Sequence, residues 1–379
     1  MPALEPFAER IYVTRPLLPP LDDYTARLAA VWDARWLTNN GTQHQALERA
    51  LAEQLRAPNL SLFANGTLAL LAACKTFALD GEAITTPFTF PATAHALTWA
   101  GLDPVFVDID SRTMTIDPAR VEEAITTRTS AIVAVHVYGI PCAVRELAAI
   151  AGRHGLRLIY DAAHAFGTAI DGVPLCGFGD ATMLSFHATK LFHTAEGGAL
   201  IVRDSATKER TDLIRNFGIR SESEVDLAGI NAKMSELSAA LGLAVLPHLE
   251  AERARRAAIA EVYDFALAKI PGIRLAQPPV TASKSLQYYV IRVDASRSDC
   301  SRDKLHERLK RFNVYTRKYF YPLASDYACY RGLKSAAAER LPVARRVAEE
   351  VLCLPLYGAL SPVDAERICA MIEHCLNSQ

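Results

Sequence analysis

The sequence lacks any apolar run near the ~20 residues that cross a bilayer, so no membrane span is expected. It also lacks a charge excess. Lys and Arg number 41 against 42 Asp and Glu, a formal net charge of −1. A chain built to neutralise a nucleic-acid backbone needs a basic excess, so no nucleic-acid partner is expected, although a small basic pocket for a diphosphate stays compatible. The opening residues Met1 to Glu9 carry neither the basic stretch nor the apolar run of a secretory leader, and a cytoplasmic location is expected. The eight cysteines (Cys74, Cys142, Cys176, Cys300, Cys329, Cys353, Cys369, Cys375) form no C-x-x-C and read as reduced thiols. The ten histidines form no H-E-x-x-H and no cluster with cysteine, so no metal site is expected. Internal repeats and low-complexity tracts are missing too.

What is present is a chain of 379 residues, half of them hydrophobic, enough for one large domain and a smaller one. Amphipathic helices are predicted over 24–35 and 43–56, separated by the turn cluster Trp36 to Gly41. From residue 59 the pattern changes. Short apolar runs at 60–64, 83–86, 104–109, 130–137, 157–160, 181–186 and 198–202 alternate with helical segments at 68–77, 92–99, 117–124 and 144–154. Strands that alternate with helices, most of them apolar throughout, predict an α/β fold: a seven-stranded, mainly parallel sheet covered by helices on both faces. Helices then follow over 234–246 and from 248 to about 270, where Pro271-Gly272 breaks the pattern. Strands at 286–293 and 314–317, a helix at 301–312 and helices after Glu339 and Pro362 predict a small α+β domain. The expected division is a large domain of residues 1–247 and a small C-terminal domain of residues 248–379.

Ligands of such a sheet bind beyond the carboxyl ends of its strands. After the first strand comes Asn65-Gly66-Thr67, opening a helix. Gly66 permits close backbone approach and the free N–H groups favour an anion, though a plain N-cap reads the same way. After the second come Phe88 and Phe90, either a platform for a flat ring or core packing. The fifth strand ends in Asp161, followed by His164. A carboxylate there needs a cationic partner, such as a protonated pyridine nitrogen, unless it is merely a cap. The sixth strand leads into Ser185-Phe186-His187-Ala188-Thr189-Lys190. A lysine desolvated in a closed pocket can lose its proton and condense with an aldehyde, whereas an exposed one cannot. Taken together, an anion cradle, an aromatic platform, a carboxylate and an amine on one sheet edge fit pyridoxal 5′-phosphate.

The same stretches carry a resemblance. Asn65-Gly66-Thr67-Leu68-Ala69-Leu70, Thr86-Pro87-Phe88-Thr89-Phe90, Val105 to Asp110, Val135 to Gly139, Asp161 to Gly167, Ser185 to Lys190, Glu196-Gly197-Gly198 and Gly229 to Leu237 resemble the DegT/DnrJ/EryC1/StrS sugar aminotransferases, which have the fold of type I PLP-dependent transferases. The resemblance implies that Lys190 binds the cofactor covalently and shuttles protons. It further implies that Asp161 pairs with the ring nitrogen, Phe90 stacks on the ring and His164 lies near the ring hydroxyl. Gly66, Thr67 and Ser185 would hold the phosphate, with Asn231 reaching it from the partner subunit of a homodimer with shared active sites. The implied reaction takes an amino group from L-glutamate, stores it as pyridoxamine 5′-phosphate and delivers it to a nucleotide-linked keto-sugar. Leu37 to Gly41, Asn231 to Met234 and Tyr319-Phe320-Tyr321-Pro322 look most like the subgroup that makes 4-amino-4,6-dideoxyglucose on dTDP, by way of a 4-keto-6-deoxyhexose. A 3-keto-sugar aminotransferase and a non-catalytic PLP-binding regulatory protein are the alternatives. Lys190 stands against the dehydrating branch, which carries histidine there. Lys233 and Asn65 depart from the arginine and serine of many relatives.

Overall fold

Leu60–Phe63 (β1), Glu82–Thr85 (β2), Asp103–Phe106 (β3), Thr129–Val135 (β4), Arg157–Asp161 (β5), Ala181–Ser185 (β6) and Gly198–Val202 (β7) form the main sheet of a computed structural model. The structure describes residues 4–298 and 300–377. The strand order is β1-β7-β6-β5-β4-β2-β3. Strand β7 is antiparallel to both of its neighbours, and the remaining pairings are parallel.

The strands lie where the apolar runs predict them because the sheet is buried on both faces. Along each strand alternate residues enter two different cores. Leu60, Leu62, Ile84, Ile132, Leu158, Tyr160, Leu184 and Ile201 pack with Leu47, Leu51, Leu147 and Ile150 from the helices Thr42–Gln54 and Val144–His154. Phe63, Ala83, Val133, Ile159, Met183 and Leu200 pack with Leu70, Ala73 and Leu97 from the helices Gly66–Thr76 and Pro91–Trp99. Period-two alternation between two apolar faces leaves few polar positions in the strands, chiefly small hydroxyl residues such as Ser61 and Thr182 and the strand ends, hence the largely apolar runs.

Some elements differ from the pattern-based expectation. A helix, Ser205–Arg215, follows β7 where none is predicted. Only Thr211, Ile214 and Arg215 of it are buried, so it has almost no apolar stripe, and its start is fixed by Asp204 accepting the Thr207 N–H at 2.8 Å. In the C-terminal part, Ile273–Leu275 (β8), Tyr289–Val293 (β9) and Val351–Leu354 (β10) form an antiparallel sheet. Strand β10 has no turn signal before it, because it leaves the Pro342–Glu350 helix directly. The strand expected over 314–317 is reduced to Val314–Tyr315, which pairs in parallel with Ile11–Tyr12. Phe7 belongs to the core formed by Ile259, Tyr263, Ile291 and Ile372, so the N-terminal segment contributes to the core of the C-terminal part. Among the described residues, no helix is long and apolar enough to cross a membrane.

Candidate active site

Because β1, β2, β4, β5 and β6 point the same way, the residues that follow them share one edge of the sheet. That edge gathers Gly66, Phe90, Asp161, Ser185 and Lys190 from a span of more than a hundred residues.

Strand β1 turns at Asn65, whose Oδ1 accepts the Leu68 N–H at 2.9 Å and so caps the Gly66–Thr76 helix. Gly66 is buried against β6. A Cβ at this position would come within 2.9 Å of the Met183 sulfur and 3.3 Å of the Ser185 Cβ. Thr67 is exposed beside it and Ser185 is part-buried. The first N–H groups of this helix have no intrahelical acceptor, and Thr67 in its first turn and Ser185 packed against Gly66 add hydroxyls, a donor set suited to an anion.

The two aromatics after β2 part company. Phe88 is wholly buried, edge-on to Tyr138 and Phe320 at 6.0 Å. Phe90, ahead of Pro91 at the start of the Pro91–Trp99 helix, is 54% exposed. Phe88 is therefore core, and Phe90 is the ring free to receive a partner.

Asp161 ends β5 and is only 4% exposed. Its Oδ2 accepts the Thr93 hydroxyl at 2.7 Å and its Oδ1 the Ala163 N–H at 3.1 Å. Both donors are neutral, and among the described residues no cationic side chain forms an ion pair with it. Burial pushes its pKa up, while the Thr93 and Ala163 hydrogen bonds and the charge of Lys190 pull it back. Lys190 sits in the loop after β6, its N–H donated to the His187 carbonyl at 2.8 Å. Its side chain is only half-covered, but the amine lies deep. Burial lowers its pKa to about 8, against the attraction of Asp161. Burial thus drives both groups toward their uncharged forms, and their proximity resists it. Gly197, behind the same loop, packs so closely that a Cβ would lie 2.0 Å from the Thr194 Oγ1.

His164 is buried and its pKa lies well below the usual imidazole value, first through burial and then through the charge of Lys190. Its Nδ1 accepts the Tyr138 N–H at 3.2 Å, which assigns the proton of the neutral ring to Nε2. Phe320 lies parallel to this ring at 5.8 Å and Tyr288 meets it edge-on at 5.0 Å. Asn231 is exposed and accepts the Lys233 amine at 2.9 Å, and no hydrogen bond joins it to the other candidates. Thr93 and Tyr288 escape the sequence reading, and Tyr138 and Phe320 fall within quoted motifs but receive no role there. Their contacts with Asp161 and His164 span tens to hundreds of residues, so no local signal assigns them.

This donor set fits pyridoxal 5′-phosphate. A buried carboxylate held by two neutral donors suits a protonated ring nitrogen, a half-exposed phenylalanine suits a flat ring, and a glycine-lined helix start suits a phosphate.

Comparison with known proteins agrees with this chemistry. The profile of the DegT/DnrJ/EryC1/StrS aminotransferase family matches residues 22–373. The chain belongs to this family. It is 44% identical to the dTDP-4-amino-4,6-dideoxy-D-glucose transaminase of Escherichia coli, over 93% of this chain and 95% of that protein. It is 43% identical to the enzyme of the same name from Shigella dysenteriae, over 96% and 98%. Among solved structures, DesI in the presence of its TDP-sugar product superposes with a TM-score of 0.93 at 37% identity, covering 98% of this chain and 94% of that one. As a member of the family, this chain is a PLP-dependent aminotransferase with the type I fold.

Proposed function

We propose that the enzyme transfers the amino group of L-glutamate to C4 of a nucleotide-linked 4-keto-6-deoxyhexose, with dTDP as the carrier. The products are 2-oxoglutarate and a 4-amino-4,6-dideoxy sugar for surface polysaccharide or glycoside synthesis. The observation that carries the reading is a deeply placed lysine amine beside a buried carboxylate on the ligand-binding edge, where burial disfavours the charged form of each. Two relatives at 43–44% identity named for this product support the sugar.

In this reading Lys190 would hold the cofactor covalently, Asp161 would keep its ring nitrogen protonated, Phe90 would stack on the ring and His164, with its proton on Nε2, would lie near the ring hydroxyl. Gly66, Thr67 and Ser185 take the phosphate. Bound pyridoxal 5′-phosphate supplies an electron-withdrawing ring that accepts and returns an amino group. The Nζ of Lys190 would take the proton from Cα of the amino acid in the first half of the cycle and deliver one to C4 of the sugar in the second. A pKa near 8 suits it to both tasks at neutral pH. The enzyme acts as a homodimer in the cytoplasm. The exposed Asn231 would reach the phosphate of the partner subunit's cofactor, and its exposure supports this role. Residues 1–247 and 248–379 are the two structural units, with Ile11–Tyr12 strapped onto the second.

The test is mass spectrometry of products from 3-keto and 4-keto nucleotide sugars incubated with glutamate and protein. A 4-amino product with equimolar 2-oxoglutarate and ping-pong kinetics is expected. Conversion of 3-keto sugars alone would overturn the assigned position. Lys190→Ala is expected to abolish turnover, and steady-state transamination by this variant without added amine would remove the role given to Lys190.

A further inference from the structure

Gln287 lies two residues before β9 and is 2% exposed. Both ends of its amide are used, and both are used on the same short stretch of backbone. Oε1 accepts the Leu191 N–H at 2.7 Å and Nε2 donates to the Thr189 carbonyl at 3.0 Å. One donor and one acceptor on the main chain fix which way the amide points. The residues beside it act on the same site. The Ser285 hydroxyl donates to the carbonyl of His164 and accepts the Gln287 N–H at 3.3 Å. Tyr288 presses edge-on against the His164 ring. A buried glutamine needs partners for its amide, and many find them on whatever backbone is nearest. Here the two partners are the peptide groups immediately before and after Lys190.

We infer that Gln287 is a positioning residue for the Lys190 amine. It pins the main chain on both sides of Lys190, so that the side chain starts from a fixed point and its amine stays in the buried pocket with Asp161. The inference builds on the reading of Lys190 as the cofactor's anchor, and it gives the strand-β9 segment a direct hold on that residue. With the clamp loosened, a lysine that is already half-covered gains the slack to carry its ammonium into water. The ionisable groups around the amine are Asp161 on β5, His164 just after it, and Tyr288, whose hydroxyl faces the Thr189 and Gln287 side chains. On its own loop stands His187, 3.7 Å from Glu196. Changing Gln287 leaves Asp161, His164, His187 and Glu196 as they are, and at Tyr288 it removes one of the two side-chain neighbours of the hydroxyl while Thr189 remains.

Competitive acetylation with acetic anhydride tests this without cofactor. In full-length protein stripped of pyridoxal 5′-phosphate, the extent of modification at Lys190 is read by mass spectrometry as a function of pH. The parent is expected to show a midpoint near 8. Gln287→Met, which keeps the volume and loses both hydrogen bonds, is expected to raise the midpoint by about one unit or more toward the ordinary lysine value of about 10.4, a roughly tenfold loss of neutral amine at pH 7. Gln287→Glu keeps an acceptor for Leu191, loses the donor to Thr189 and adds a negative charge, so its midpoint is expected to rise further. It also serves should the methionine variant fail to fold. A parent midpoint near 10.4, or variants that keep the parent's midpoint while folded by circular dichroism, would overturn the clamp. Borohydride fixation of a pyridoxyl group at Lys190 in the parent tests the anchor separately. Its failure alongside shifted acetylation midpoints would sink the cofactor reading and spare the clamp.

Discussion

Replacing Asp161 with asparagine separates charge from shape at the buried end of β5. Asparagine has nearly the same volume. Its oxygen can still accept the Ala163 N–H, and its NH2 can donate to the Thr93 hydroxyl, which turns to accept it while remaining 2.8 Å from Thr89. The fold should therefore hold to within about 1 kcal/mol. What disappears is the negative charge. A charge pair in contact, ~4 Å apart at an effective dielectric of ~20, is worth about 4 kcal/mol. At about 1.4 kcal/mol per decade, losing the hold on a protonated ring nitrogen should slow amine transfer by about a thousandfold. The same loss acts on Lys190. Its pKa is lowered to about 8 by burial and held up by Asp161, so removing the carboxylate must move it further down. The predicted pattern is an unchanged melting temperature, kcat reduced about a thousandfold, and an acetylation midpoint at Lys190 below that of the parent. Transfer within about tenfold of the parent, or a midpoint that rises, would refute the electrostatic account of this pair.

Thr93→Val removes the 2.7 Å donor to Asp161 at almost constant volume. A hydrogen bond to a charged group is worth about 1.5–3 kcal/mol, so kcat/KM should fall roughly 10–100-fold, and an acid limb of the pH–rate profile that belongs to Asp161 should move to higher pH because the bond holds that carboxyl's pKa down. A profile identical to the parent's would show that Thr93 plays no such part. Phe88→Ala, in a wholly buried position, should cost about 3–5 kcal/mol by thermal or urea unfolding. Phe90→Ala should leave stability within about 1 kcal/mol and instead weaken pyridoxal 5′-phosphate binding by about 0.5–1.5 kcal/mol, roughly 2–10-fold. Equal destabilisation by the two changes would contradict the division between core ring and platform. Asp108 accepts the N–H groups of Val343 at 2.9 Å and Ala344 at 2.7 Å, capping the Pro342–Glu350 helix from the end of the main sheet. Asp108→Ala should lower stability by about 2–4 kcal/mol and Asp108→Asn by less, read from urea midpoints.

How much of this could be read from residues alone follows from how each feature is encoded. Strands buried on both faces announce themselves as unbroken apolar runs, which is why β1 to β7 fall within a few residues of expectation. The Ser205–Arg215 helix buries too little to leave a stripe, and β10 follows a helix without a break, so neither pattern exists to be read. The candidate chemistry was legible for a related reason. A parallel sheet sends every strand end to one edge, so Gly66, Asp161, Ser185 and Lys190 could be grouped from their places in the chain, and their residue types name their chemistry.

The groups that set those residues' properties were not legible in the same way. Phe88 and Phe90 are two residues apart in an irregular segment, and only the packing of the chain between Tyr138 and Phe320 decides which ring is core. Thr93 acts on Asp161 across 68 residues and Gln287 on the Leu191 peptide across 96, and both residue types are at home in any helix or loop. A lysine can be read as an anchor from its position after a strand. Whether its amine is a base at neutral pH depends on burial and backbone restraint, which distant segments impose. In this protein the identity of the candidate amine is therefore local in sequence, while its ionisation is a property of tertiary structure.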